Sequence, residues 1–159
     1  MASGVPSPDG PPPRRVFARR GFLLGALAVG GLAAARWFNV GANLEGPALS
    51  VREAHIGAFN GDITLVDIRR PDEWARTGIP EGAITLDMRD PAFVTKLLAQ
   101  ISGLDAPVAL ICARGVRSRH LADRLNEAGF TNIIDVPEGM LGSGAGPGWL
   151  AAGLPVTAL

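Results

Sequence analysis

One cysteine in 159 residues excludes an internal disulfide, so the fold must rest on its core alone even in an oxidising compartment. Two histidines, His55 and His120, have no partner at metal-ligand spacing, so no metal site is expected and neither is given a chemical role. A glycine-rich nucleotide fingerprint is missing, as is any internal repeat, and no cofactor is implied. The uncharged Ala/Leu/Gly/Val stretch at residues 21–35 falls short of the ~20 apolar residues of a spanning helix. Net charge is lacking too, with 15 basic and 15 acidic residues, but that neutrality hides a division. Residues 1–40 carry a balance of +4 and residues 41–159 one of −4. A mildly acidic body without a basic stripe excludes nucleic acid as an expected partner.

The N-terminal division has the pattern of an export signal. Its first 13 residues, rich in Pro, Gly and Ser without an apolar period, are predicted to be disordered. Arg14, Arg15, Arg19 and Arg20 precede the Ala/Leu/Gly/Val stretch Gly21–Ala35, which Arg36 closes. Ala18–Leu24, A-R-R-G-F-L-L, resembles a twin-arginine signal, although it lacks a Ser or Thr before the pair and a Lys after it. Ala33-Ala34-Ala35 offers a small-residue cleavage site. Residues 1–40 are therefore read as a disordered N-terminus plus export signal, giving a periplasmic location. An uncleaved segment would instead anchor the protein, with membrane association through residues 21–40.

From Leu49 onward the pattern alternates. Ser50 with Glu53 makes a capping box for a helix running to about Phe59. Ile63–Ile68 reads as a strand, Pro71 as the start of a single helical turn, and Ala83–Leu86 as a brief strand. Asp90-Pro91 starts a helix whose apolar face is Val94, Leu97, Leu98 and Ile101. Pro107–Ile111 reads as a buried strand, Val116–Gly129 as a helix with Leu121, Ala122, Leu125 and Ala128 inward, and Asn132–Val136 as a strand. This order predicts an α/β fold, a parallel β-sheet flanked by helices on both faces, with ligands at the carboxyl ends of the strands.

Cys112 lies at such an end and opens C-A-R-G-V-R-S. A free thiol ionises near pH 8.5, leaving about 3% thiolate at pH 7. A helix N-terminus and nearby Arg lower that value, so the loop Ala113, Arg114, Gly115, Val116, Arg117 and Ser118 is expected to make Cys112 a nucleophile. A lone cysteine after a strand is more often a small buried hydrophobe. The glycine and two arginines just downstream favour the reactive reading.

A strand, C-x-x-G-x-R-S, then a helix resembles the active-site loop of rhodanese-like sulfurtransferases. Asp67–Ile84 is similar to that family's D-x-R-x-x-x-E-[aromatic] segment, and Gly129-Phe130, Glu138–Met140 and Trp149–Val156 resemble its ending. The resemblance spans residues 47–157. It departs at Thr77, where the family often has a Gly-His pair nearby, and at the insertion Gly142–Gly148, read as a flexible surface loop.

The resemblance implies a single rhodanese-like domain that moves sulfur from a small anionic, thiosulfate-like donor to a cyanide or thiol acceptor through a Cys112 persulfide, with a monomer expected. It makes Arg117 the anion anchor and places Arg114 within a substrate's reach. Asp67 and Arg69 become supports for the fold and loop. Glu73 is expected to pair or cap locally, and Trp74 and Trp149 to anchor packing. Two rivals stand beside this reading: a non-catalytic persulfide carrier or binding module on the same fold, and a cysteine phosphatase or arsenate reductase. Those last enzymes use C-x-x-x-x-x-R, one residue longer than the ring here.

Overall fold

The computed structural model describes residues 47–158 together with Met1, so the expected export signal lies outside the described residues. Helix α1 (Val51–Asn60) begins on the expected capping box: the Ser50 hydroxyl accepts the Glu53 amide (3.3 Å) and the Glu53 carboxylate accepts the Ser50 amide (2.8 Å). It ends on Gly61 at φ 77°, the left-handed turn that glycine adopts without steric cost.

Four parallel strands form the central sheet in the order β3 (Ile84–Thr85), β1 (Thr64–Asp67), β4 (Val108–Ile111), β5 (Ile133–Val136). Asp67 pairs with Ile111, and Ile111 with Val136, so three carboxyl ends finish at one level beside Cys112. Strand alternation sorts the side chains. Val66, Ile68, Val108, Leu110, Cys112 and Ile133 face a core shared with α3 (Phe93–Leu98) and α4 (Val116–Glu127). Leu65, Ala109, Ile111 and Val136 face a second core with Val51 and Ala54 of α1 and with Trp149 of α5 (Gly148–Ala151). The sheet is thus covered on both faces, as predicted.

Several details differ from the sequence expectation. Helix α2 (Pro71–Thr77) has two turns rather than one, because burying Trp74 carries it past the first. Helix α3 stops at Leu98 and buries Phe93 and Leu97, while Val94 and Leu98 are exposed. The large Phe93 ring sets its inward face one residue earlier than predicted. In α4 the inward positions are Ser118, Leu121, Ala122 and Leu125, and Ala128 is exposed beyond the last turn. A small antiparallel pair, β2 (Ile79–Pro80) with β6 (Val156–Thr157), was not visible in the sequence at all. Among the described residues no helix is long and apolar enough to cross a membrane.

Candidate active site

Strand β4 delivers Cys112 to the sheet edge, and the chain then curls back over it. Gly115, at φ 79°, caps the start of α4. A Cβ there would stand 2.2 Å from the Pro137 carbonyl oxygen, so both the turn and the approach require glycine. Behind the loop, the Cys112 and Ala113 carbonyls accept the amides of Met140 and Leu141, each at 2.9 Å. Gly139 permits this contact: its Cβ would meet the Ala113 carbonyl at 2.6 Å. The ring around the sulfur is therefore clamped from outside by Pro137–Leu141.

Inside the ring, Cys112 is 1% exposed and its Sγ lies 3.6 Å from the Ser118 hydroxyl oxygen. Ser118, fully buried, also donates to the Gly115 carbonyl at 3.1 Å. The first amides of α4 have no partner within the helix, and its positive dipole end lies at this loop. Arg117 forms a two-pronged ion pair with Glu73 of α2, at 2.8 and 2.7 Å. The Arg117 guanidinium beside it holds the Glu73 carboxyl at about 2, well below the usual carboxylate range. Arg117 is raised in turn, first by Glu73 and to a smaller extent by Cys112.

Arg114 donates at 3.4 Å to the Gly142 carbonyl. Asp67 and Arg69 make a buried pair, with Arg69 Nη2 at 2.6 Å from Asp67 Oδ2 and also donating to Gly78 O, while Nη1 donates to Thr77 Oγ1. They tie β1 to the end of α2, one strand away from the thiol. Glu73 does cap locally, accepting the Arg70 amide, but its principal partner is Arg117, 44 positions away.

Sequence reading missed Asp135. It is 6% exposed, sits on the Cys112 face of β5 opposite Leu110, and neither carboxylate oxygen has a hydrogen-bond partner. Burial pushes its carboxyl up, against smaller pulls from Ser118 and Arg119. An acidic residue within the apolar run N-I-I-D-V was the available signal. The insertion is also more than a loop tip: Ser143 donates to Pro137 O at 2.7 Å, Gly148 N donates to Glu138, and Gly142 and Gly148 are buried.

A parallel α/β sheet that presents one buried cysteine in a glycine-turned, arginine-bearing ring defines a class of domains with a thiol at a strand's carboxyl end. The comparisons make it specific: the rhodanese-like domain profile matches residues 51–143, and the chain belongs to that family. Uncharacterized protein RP600 of Rickettsia prowazekii is 28% identical over 104 residues, covering 61% of this chain and 85% of its own. The polysulfide-sulfur transferase homodimer from Wolinella succinogenes superposes with a TM-score of 0.55 and 26% identity, covering 89% of this chain and 95% of that one. RPA3614 from Rhodopseudomonas palustris, described as a possible tyrosine phosphatase, shares the fold at TM-score 0.52 and 21% identity, covering 93% of this chain and all of that one.

Proposed function

We propose that this domain is a rhodanese-type sulfurtransferase working through a Cys112 persulfide. The observation that carries the reading is the six-residue ring from Cys112 to Arg117, closed over a buried sulfur and opening α4. Kinship with a polysulfide-sulfur transferase at 26% identity supports it. The Cys112 thiolate attacks the outer sulfur of a thiosulfate-like donor. The donor's S–S bond breaks, its electron pair leaves with sulfite, and the ring amides stabilise the departing charge, while Arg117, held by Glu73, adds its positive field from the loop's end. A thiol or cyanide then takes the sulfane sulfur and returns Cys112 to its thiolate.

A ring this small suits one sulfur atom better than a tetrahedral phosphate, which favours sulfur transfer over phosphatase chemistry. The test is intact mass after thiosulfate treatment. An added ~32 Da, one sulfur atom held as a persulfide, is expected on the native chain and not on Cys112→Ser. Sulfite release by Cys112→Ser at the native rate overturns the reading, and loading without repeated turnover makes the domain a carrier. Export of the domain to the periplasm belongs to the same proposal, and the intact mass of the protein recovered from an export-competent cell distinguishes cleavage after Ala35 from anchoring.

A further inference from the structure

Cys112 and Asp135 are both buried on one face of the sheet, and α4 sets a buried hydroxyl, that of Ser118, against the same face. We propose that Asp135 is a positioning residue for sulfur transfer: it shares one proton with Cys112 through the Ser118 hydroxyl, so that the thiol ionises by handing its proton to the carboxylate. This rests on the sulfur-transfer reading above and names what governs the nucleophile.

Three observations carry it. The first is place. Asp135 pairs with Leu110 across the parallel strands, and Cys112 lies two residues beyond Leu110 on its side of the sheet. Strand spacing and rise put the two α-carbons about 8 Å apart, with both side chains turned the same way.

The second is the intermediary. Ser118 Oγ stands 3.6 Å from Cys112 Sγ, and its hydrogen goes to Gly115 O at 3.1 Å. Its lone pairs are thus open to the thiol hydrogen, and rotation about one bond turns its own hydrogen elsewhere. That hydroxyl also pulls on the Asp135 carboxyl.

The third is the set of groups around each acid. Neither Asp135 oxygen receives a hydrogen bond. From α4 it faces Ser118, Arg119 and Asp123, of which Arg119 stands off at 3.9 Å, half-exposed, and Asp123 repels. From β4 it faces apolar Leu110, and residues 47–49 bond its main chain only. Cys112 faces Ser118 and, from the ring's end, Arg117, which Glu73 holds. A buried carboxylate without donors favours gaining a proton, and a thiol at a helix N-terminus favours losing one.

The exchange balances within the three residues. The S–H bond breaks and its electron pair stays on sulfur. The proton joins Ser118 Oγ while the hydroxyl proton passes to an Asp135 oxygen. One negative charge is present before and after, so no outside base is needed. With the carboxyl neutral, an anionic donor approaches the thiolate without a second buried charge behind it. Holding both charges at once is opposed: at about 8 Å and an effective dielectric near 20, each displaces the other's titration by about 1.5 pH units.

The experiment follows the alkylation rate of Cys112 by uncharged iodoacetamide across pH, in the full native chain and in Asp135→Asn. The native rate is expected to rise over a wider range than a one-proton titration. Asp135→Asn is expected to follow a single titration that finishes about 1.5 pH units lower. A purely structural role for Asp135 would not displace the profile along pH, and coincident profiles overturn the inference while leaving sulfur transfer intact. Alkylation needs no sulfur donor, so a chain that never loads from thiosulfate defeats the proposed activity and not this one. Coupling is reciprocal, which keeps the proposal testable should Asp135→Asn not fold. Cys112→Ser is expected to lower the upper part of the Asp135 titration by the same amount, read from its carboxyl carbon by NMR, and an unmoved curve overturns the proposal.

Discussion

Asp135 is taken out of water on the same sheet face as Cys112, and neither of its oxygens receives a hydrogen bond. The neighbouring Ser118 has one hydroxyl hydrogen and gives it to Gly115 O. An unpaired buried carboxylate costs stability when charged, so its folded-state pKa lies above the unfolded value. For such a group the favourable state is the neutral one. Its stability is fully present below about pH 3.9, the unfolded value, and is lost as pH rises through the raised folded pKa. Asp135→Asn keeps the shape and removes the charge. At pH 7 it is expected to leave stability unchanged or raise it by about 1 kcal/mol, measured by urea denaturation, with the difference fading on acidification. A loss at pH 7 that persists in acid would assign the effect to the shape and packing of the carboxyl rather than to its charge. At this same scale the sequence was highly legible for Cys112, whose neighbours in the chain are its neighbours in space.

Between elements, the Glu73–Arg117 pair fastens α2 to the ring. Arg117 was legible as the basic end of the loop, but its partner was not. Residues 73 and 117 meet only because β1 and β4 are adjacent and parallel, so that whatever follows each strand emerges at the same edge. The carboxyl is depressed from 4.5 to about 2, the opposite sign to Asp135. Its contribution is present above the unfolded value near pH 4.3 and is lost as pH falls toward 2. Glu73→Gln is expected to cost about 1–3 kcal/mol at pH 7, less than a fully buried pair because Arg117 is one-third exposed. Denaturation midpoints of variant and native protein should converge between about pH 4 and pH 2. A gap that stays constant across that window would assign the loss to packing rather than charge. Element boundaries were less legible. Periodicity located α3, yet its six residues are too few for spacing to choose between Phe93 and Val94 as the inward position, and the sheet made that choice by shape.

At the scale of the described residues as a whole, stability comes from two cores on opposite faces of one sheet, and the Cys112 loop lies at the sheet's carboxyl edge. Trp149 is the largest side chain of the second core, fully buried, with its indole donating to Pro155 O at 2.9 Å and its amide to Gly139 O at 2.9 Å. It therefore holds the turn that clamps Cys112. Trp149→Ala is expected to cost about 3–5 kcal/mol in denaturant and to make the 142–148 loop a preferred site of limited proteolysis. Undiminished protection of that loop would detach it from this core.

The amino-acid sequence by itself determined the layered α/β architecture, the cysteine at a strand's carboxyl end and the glycine-turned basic ring, because each is written in residues close together in the chain. Only the tertiary structure decided that Glu73 pairs with Arg117, that Asp135 lies on the Cys112 face without a hydrogen-bond partner, and that the Gly142–Gly148 loop is fastened to Pro137 and Glu138. These depend on which strands are neighbours and at what register, and that follows from how the whole apolar surface is buried rather than from any local pattern.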